Sequence, residues 1–176
     1  MDPEDCMNLE GINIRVSLGK DDLEEIAGLH GLLYSDEFGY DNGFVEYVRE
    51  TLEEFRGERT DRERIWIVEK DHRVVGSLAV LERPGNKAQL RWFILHPELR
   101  GRGIGNLLFK KALDFIKKAG YSSAYLTTQS ILEAAASVYT RFGFRIAEEW
   151  EEDCWGRKLI QQRYERSFSG GDKKSS

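Results

Sequence analysis

The stretch Arg100-Gly101-Arg102-Gly103-Ile104-Gly105 follows a strand-like run from Gln89 to His96 and opens a segment of helical periodicity. The first turn of a helix leaves backbone N–H groups without intrahelical partners and carries positive partial charge. Glycines let an anion approach those groups without meeting a Cβ. Arg100 and Arg102 add charge at the same place. The chemistry this predicts is the binding of a pyrophosphate. Spacing disfavours two nucleotide classes. A dinucleotide fingerprint needs G-x-G-x-x-G, but counting from Gly101 the third position is Asn106, and counting from Gly103 it is Leu108. A P-loop needs Gly-Lys-Ser/Thr, which is absent. The competing reading is a solvated turn that holds no ligand.

The elements around this turn follow from periodicity. Ile12, Ile14, Val16 and Leu18 alternate with polar residues as a strand does. Asp21 and Asp22 offer an N-cap to a helix whose spacing is set by Leu23, Ile26, Ala27, His30, Leu33 and Tyr34. A second helix is predicted from about Gly43 to Arg56, with Gly57 available to end it. The period then changes. Ile65–Val68 and Val74–Leu81 read as a hairpin across Asp71-His72-Arg73, and Gln89–His96 follows the turn Pro84-Gly85-Asn86. The helix after the glycine turn runs to Ala119, before Gly120. Ala124 and Leu126 mark a strand, Ile131–Phe142 a short helix, Phe144–Trp150 a strand, and residues 157–166 the last one. The order β-α-α-β-β-β-α-β-α-β-β predicts an α/β fold, with a mixed, mostly antiparallel sheet and helices on both faces.

At 176 residues the chain fits one domain, expected at 11–166 between a flexible arm at 1–10 and a Ser/Gly/Lys-rich disordered tail at 167–176. The composition is 40% hydrophobic and 32% charged, with a net charge of −5, which argues against a nucleic-acid surface. The longest apolar runs are far shorter than a membrane span, and the acidic N-terminus lacks the apolar core of a secretory signal. Cys6 and Cys154 have no metal-ligand spacing and read as free thiols, so a reducing, cytoplasmic location is expected.

Arg100 to Gly105, with Pro97 upstream, resembles the Arg/Gln-x-x-Gly-x-Gly/Ala signature of the GNAT acyltransferase family. Ala135 to Phe144 resembles that family's helix ending in Tyr-x-x-x-Gly-Phe. The two motifs stand in the family's order, and the predicted elements match its fold over residues 12–166. Glu37-Phe38-Gly39-Tyr40-Asp41, Lys87 to Arg91 and Thr127 to Leu132 also resemble the acyltransferase module that follows a MarR-type DNA-binding domain in bacterial regulators, here without that domain.

The resemblance implies a sheet splayed between two strands and an N-acetyltransferase that uses acetyl-CoA and no metal. Backbone amides of Arg100, Gly101, Arg102, Gly103, Ile104 and Gly105 would hold the pyrophosphate. The pantetheine arm would lie along Phe93, Ile94 and Leu95, where an amide also polarises the thioester carbonyl. Tyr139 matches the general acid that protonates the leaving thiolate. Its phenol, ordinarily of pKa about 10, is protonated at neutral pH and can serve a thiolate whose conjugate pKa is about 8.5. The base is less well marked, because the strand before the turn carries Gln89 and Arg91 and no acid. Glu82 is the nearest candidate, with a solvated strand-end carboxylate as the plainer reading, and His96 is a candidate relay. Leu132 stands where the family often has Asn. Tyr34, Asp36, Glu37, Phe38 and Tyr40 fall in the region of the acceptor loop.

The acid run Glu148, Glu149, Glu151, Glu152 and Asp153 reads as a solvated edge that resists aggregation, with attraction of a cationic amine as the alternative. The expected partner is a small-molecule or peptide amine, with no nucleic acid and no membrane; the resemblance also allows a homodimer. Two other functions compete: a non-catalytic module that binds or senses acyl-CoA, and an interaction domain that has lost the cofactor. Calorimetry with acetyl-CoA separates the last from the others, and thiol release over a panel of amines separates the first two.

Overall fold

The computed structural model describes residues 11–168. Cys6, the expected arm at 1–10 and the tail from 169 onward lie outside the described residues. The elements are β1 (Ile12–Arg15), α1 (Asp22–Phe38), α2 (Asn42–Glu58), β2 (Arg64–Lys70), β3 (Arg73–Arg83), β4 (Lys87–Leu95), α3 (Ile104–Lys118), β5 (Ser123–Gln129), α4 (Glu133–Arg141), β6 (Arg145–Cys154) and β7 (Arg157–Ser167), with a 3-10 turn at Pro97–Leu99. This is the order that periodicity predicts. The strands form one seven-stranded sheet ordered β1-β2-β3-β4-β5-β7-β6. Every pairing is antiparallel except that of β4 with β5.

Strands β2 and β3 are apolar at almost every position because both of their faces are covered. Ile65, Ile67, Ala79 and Leu81 pack with Leu23, Phe44 and Leu52 of α1 and α2. Trp66, Val68, Leu78 and Val80 alternate with them and pack with Leu108, Phe109 and Ile116 of α3. Each such side chain contributes about 1.5–3 kcal/mol on burial. The α2 helix buries Phe44, Val48, Leu52 and Phe55, a single stripe at helical spacing.

Boundaries differ from expectation by a few residues at several elements, and three of the differences have clear local reasons. The α1 helix runs past Tyr34 to Phe38, where Gly39, at φ 69°, takes the left-handed cap and donates its N–H to Ser35 O at 3.0 Å. Gly57 does not end α2, which is capped at its start by Asp41 (Gly43 N–H to Oδ1, 3.0 Å) and closes one residue later, at Glu58. Neither Asp21 nor Asp22 caps α1 as expected: Asp21 makes no side-chain cap bond, and Asp22 accepts two hydrogen bonds from Arg15 at 2.7 Å and one from the N–H of Gly19. That clamp draws the chain out of the sheet after Arg15, so β1 stops short of Leu18.

Two features shape the interior. The β4–β5 ladder consists of Lys87↔Ser123, Ala88↔Ala124 and Gln89↔Tyr125 and then stops. Beyond it β4 stays paired to β3 as far as Leu95, and β5 stays paired to β7 as far as Gln129. The sheet therefore splits along its parallel seam. A bulge accompanies the split. Register on β3 passes from Ala79↔Arg91 to Ser77↔Ile94, so Trp92 and Phe93 together oppose Leu78. Trp92 sits at φ 52°, and its carbonyl accepts from Ser77 Oγ at 2.6 Å. A bulge bends and twists its strand, and here it bends β4 where β5 departs.

Candidate active site

The split opens a cavity on each face of the sheet. One, of about 480 Å³, is walled by Phe93 to Leu95 of β4, by Arg100, Gly101, Gly103, Ile104, Gly105 and Asn106, and by the start of α4. The other, of about 430 Å³, is walled by α1, α2, the middle of β4, the end of β5 and the tip of the β6–β7 hairpin. Tyr34, Phe93 and Leu132 line both, so the cavities meet at these three residues.

On the first face the glycines act by two different physical means. Gly101 (φ 76°) and Gly103 (φ 79°) hold left-handed backbone that side chains disfavour. Gly105 keeps the helix start close to β4: a Cβ there would lie 3.3 Å from Leu95 Cδ1 and 3.5 Å from Phe93 Cζ. The first helical bond of α3 is Leu107 N–H to Gly103 O at 3.1 Å, which leaves Ile104, Gly105 and Asn106 N–H without helical acceptors. The edge of β4 from Leu90 to Leu95 that faces the split has no strand beside it. Together these features form an anion cradle leading into a slot bordered by open strand edge. A chain bearing a pyrophosphate at one end and amides along its length fits both parts.

Tyr139 of α4 lines the second cavity beside Phe93, one of the three shared residues. It is 6% exposed, and its ring lies among Phe93, Phe109 and Tyr164 at centroid distances of 6.1, 5.6 and 5.4 Å. Burial pushes its phenol above the ordinary value, with Tyr34 adding to the effect. Thr128 Oγ1 lies close enough to ease that shift, yet it is buried and has no partner in bonding geometry. Burial likewise raises Tyr34 to about 12. His30, on the same wall, donates Nδ1–H to Ile26 O at 2.8 Å, and burial lowers its pKa to about 4. It is a neutral imidazole, and its other nitrogen is without a protein partner among the described residues.

The model of the acetyltransferase (GNAT) family matches residues 25–144. The chain belongs to that family. It is 32% identical over 108 residues to rat (Rattus norvegicus) N-acetyltransferase 8F1, an alignment covering 56% of this chain and 49% of that one. It thus spans about half the length of the curated relatives it matches. An acetyltransferase from Streptococcus agalactiae 2603 superposes with a TM-score of 0.74 at 19% identity, over 91% of this chain and 100% of that one. The Salmonella typhimurium protein yncA, solved with its cofactor acetyl-CoA, gives 0.71 at 15% identity, over 92% and 96%. These structures share the fold.

Against this GNAT frame, the residues expected at the cofactor face line the 480 Å³ cavity, apart from Arg102, which is not among its lining residues. The resemblance's acceptor residues divide. Tyr34 borders both cavities, but Glu37 and Phe38 border the cofactor face, where Glu37 Oε1 accepts from Arg100 at 2.8 Å. They lie there because α1 continues beyond Tyr34 and carries them across the split. Glu82 enters neither cavity: it is paired with Arg62 at 3.0 Å and accepts from Thr60 Oγ1 at 3.2 Å. His96 caps the 3-10 turn, its Nδ1 accepting the N–H of Glu98 at 3.2 Å. Of the acid run, Glu152 alone lines a cavity, and Glu151 pairs with Lys158 at 3.3 Å.

Sequence reasoning missed part of the acceptor face. Trp155 sits at the tip of the β6–β7 hairpin, where it and Gly156 (φ 51° and 81°) form the two-residue turn between Cys154 and Arg157. Its ring packs on Tyr40, Phe44 and Tyr47, and its carbonyl accepts Asp41 N–H at 2.9 Å. Gln129 and Gln161 continue the wall, joined by a hydrogen bond of 2.9 Å, and Tyr40, a residue of the expected acceptor loop, stands behind them with its Oη 3.3 Å from Gln129. The Trp-Gly pair, at the midpoint between two strands, was the available signal for that tip.

Proposed function

We propose that the chain transfers an acetyl group from acetyl-CoA to a primary amine by direct attack within a ternary complex. The observation that carries this reading is the junction of the two cavities beside Tyr139. One cavity is open to an anion-binding helix start and the other is lined with polar and aromatic side chains. Acetyl-CoA would supply the activated acyl group as a thioester.

The roles of the protein's own groups follow. The amides at the start of α3 bind the pyrophosphate, and the open edge of β4 aligns the pantetheine. An amide of the bulged segment at Phe93 stabilises negative charge on the carbonyl oxygen. Tyr139 Oη gives its proton to the sulfur as the C–S bond breaks and the C–N bond forms. Its raised pKa suits this step because the leaving thiolate forms in the same dry surroundings and has its own proton affinity raised. The amine's surplus proton leaves through the acceptor face, where Glu152 is the carboxylate of the lining. The segments resembling the regulator-linked modules meet at this face through Tyr40 and Gln129, which supports an acceptor chemistry in common with them.

The test is release of free thiol from acetyl-CoA over a panel of primary amines. Acetylated product with at least one of them is expected, and Tyr139→Phe should slow it by about 10²-fold or more while the affinity for acetyl-CoA stays the same. Turnover in that variant equal to the native rate removes the acid role.

A further inference from the structure

The acceptor face holds a positive charge that the fold leaves without a counter-ion. Arg91 of β4 lines this cavity, half-buried. One of its five N–H donors is used, by Nη2 to Tyr47 Oη at 2.8 Å. Its guanidinium lies 4.8 Å from the Trp92 ring centroid and 5.5 Å from that of Tyr47. No carboxylate among the described residues pairs with it. Some arginines are matched to carboxylates, Arg15 to Asp22 and Glu69, Arg49 to Glu24 and Glu46, and Arg62 to Glu82, while others, such as Arg141 and Arg166, are bonded to neutral acceptors outside this cavity. Burial weakens the hold of Arg91 on its proton, nearby Arg83 adds to that, and Glu54 offsets it only in part. Adjacent His30 is neutral and supplies no negative charge.

A half-buried guanidinium with unused donors is a planar fork shaped for a carboxylate. Arg91 is the one lysine or arginine among the residues that line this cavity. Aromatic side chains, Phe44, Tyr47, Trp150 and Trp155, share the walls with the polar Gln89, Gln129 and Gln161. At about 430 Å³ the space matches a small ligand rather than a length of polypeptide. Glu152 is the one carboxylate of the lining and suits the ammonium end of a zwitterion.

We infer that the acceptor is a free α-amino acid with an aromatic or large aliphatic side chain, its carboxylate gripped by Arg91 and its side chain laid among Phe44, Tyr47 and Trp155. This rests on the reading that the cavity takes the amine. A lysine presented by a protein brings no carboxylate, and a polyamine brings only cations, which Arg91 repels.

The experiment compares phenylalanine with phenethylamine, which differ by the carboxylate, at equal free-amine concentration. The full chain is used with saturating acetyl-CoA. The native protein should favour phenylalanine in kcat/KM by about tenfold or more, since a charge-assisted hydrogen bond contributes roughly that. Arg91→Gln should erase the preference through KM, and Arg91→Lys should keep part of it. Calorimetry with N-acetylphenylalanine and N-acetylphenethylamine reads the same preference without turnover, and coenzyme A affinity checks that each variant is folded. Equal binding of the two products, or a preference that survives Arg91→Gln, overturns the inference even if thiol is released. A preference lost in Arg91→Gln upholds it even if no amine is acetylated, in which case the transferase reading is what fails.

Discussion

At the scale of single residues, the site combines groups that were legible with groups that were not. Tyr139 is legible as a candidate because a short helix ending in Tyr-x-x-x-Gly-Phe is a local pattern that resembles the family's. Glu82 is the nearest candidate in the fold that the sequence offers as a base, but its side chain is paired with Arg62 and lines neither cavity. Glu82→Gln is therefore expected to leave thiol release at the native rate, and a loss of more than tenfold would return it to the chemistry. His30 gave no sequence signal beyond its place on an apolar stripe. Its folded pKa of about 4 lies below the unfolded value of 6.5. The unfolded chain thus binds the extra proton first as pH falls, and stability declines through the window from about 6.5 to about 4. The loss is on the order of 3 kcal/mol. Urea unfolding across that window should show the decline in the native chain and a flatter profile in His30→Gln.

At the scale of elements, order and type followed from periodicity, whereas the split and the bulge did not. The length of the β4–β5 ladder depends on how two strands separated by α3 meet in space, which no local pattern encodes. Trp92 at φ 52° is likewise invisible to propensity, since a bulky residue there costs about 1–2 kcal/mol and is held by its surroundings, here Ser77 Oγ. The glycine turn was legible because its spacing is a backbone requirement. Gly103→Ala should strain the entry to α3 by about 1 kcal/mol and weaken coenzyme A binding, as read by calorimetry. Unchanged affinity would separate the turn from the phosphate. The Arg15–Asp22 clamp, read from sequence as a helix cap, joins β1 to α1. Asp22→Asn is expected to cost about 1.5–3 kcal/mol in thermal or urea unfolding. Arg15 holds the Asp22 carboxyl below its ordinary pKa, so the contribution of the pair is present at neutral pH and is lost as acid protonates Asp22.

At the scale of the whole molecule, the sheet is one layer divided along part of its length, with helices on both faces and an opening that runs through it. A ligand seated in that opening would touch both parts and stabilise the folded state as a whole. Coenzyme A at 100 times its Kd is expected to add about 2.7 kcal/mol. For a chain of this size that raises the melting temperature by roughly 5–10 °C. Absence of any shift at saturation would remove the cofactor from the account.

The open edge of β4 also has an isotopic consequence. Along Leu90 to Leu95, N–H groups directed at β3 are engaged and those directed at the opening are not. Without ligand, amides along this strand should trade hydrogen for deuterium at two distinct speeds, and a pantetheine chain lying against them should bring the quicker set down to the slower. The strand would then carry a record of its own occupancy, readable by solvent exchange before any acetyl group has moved.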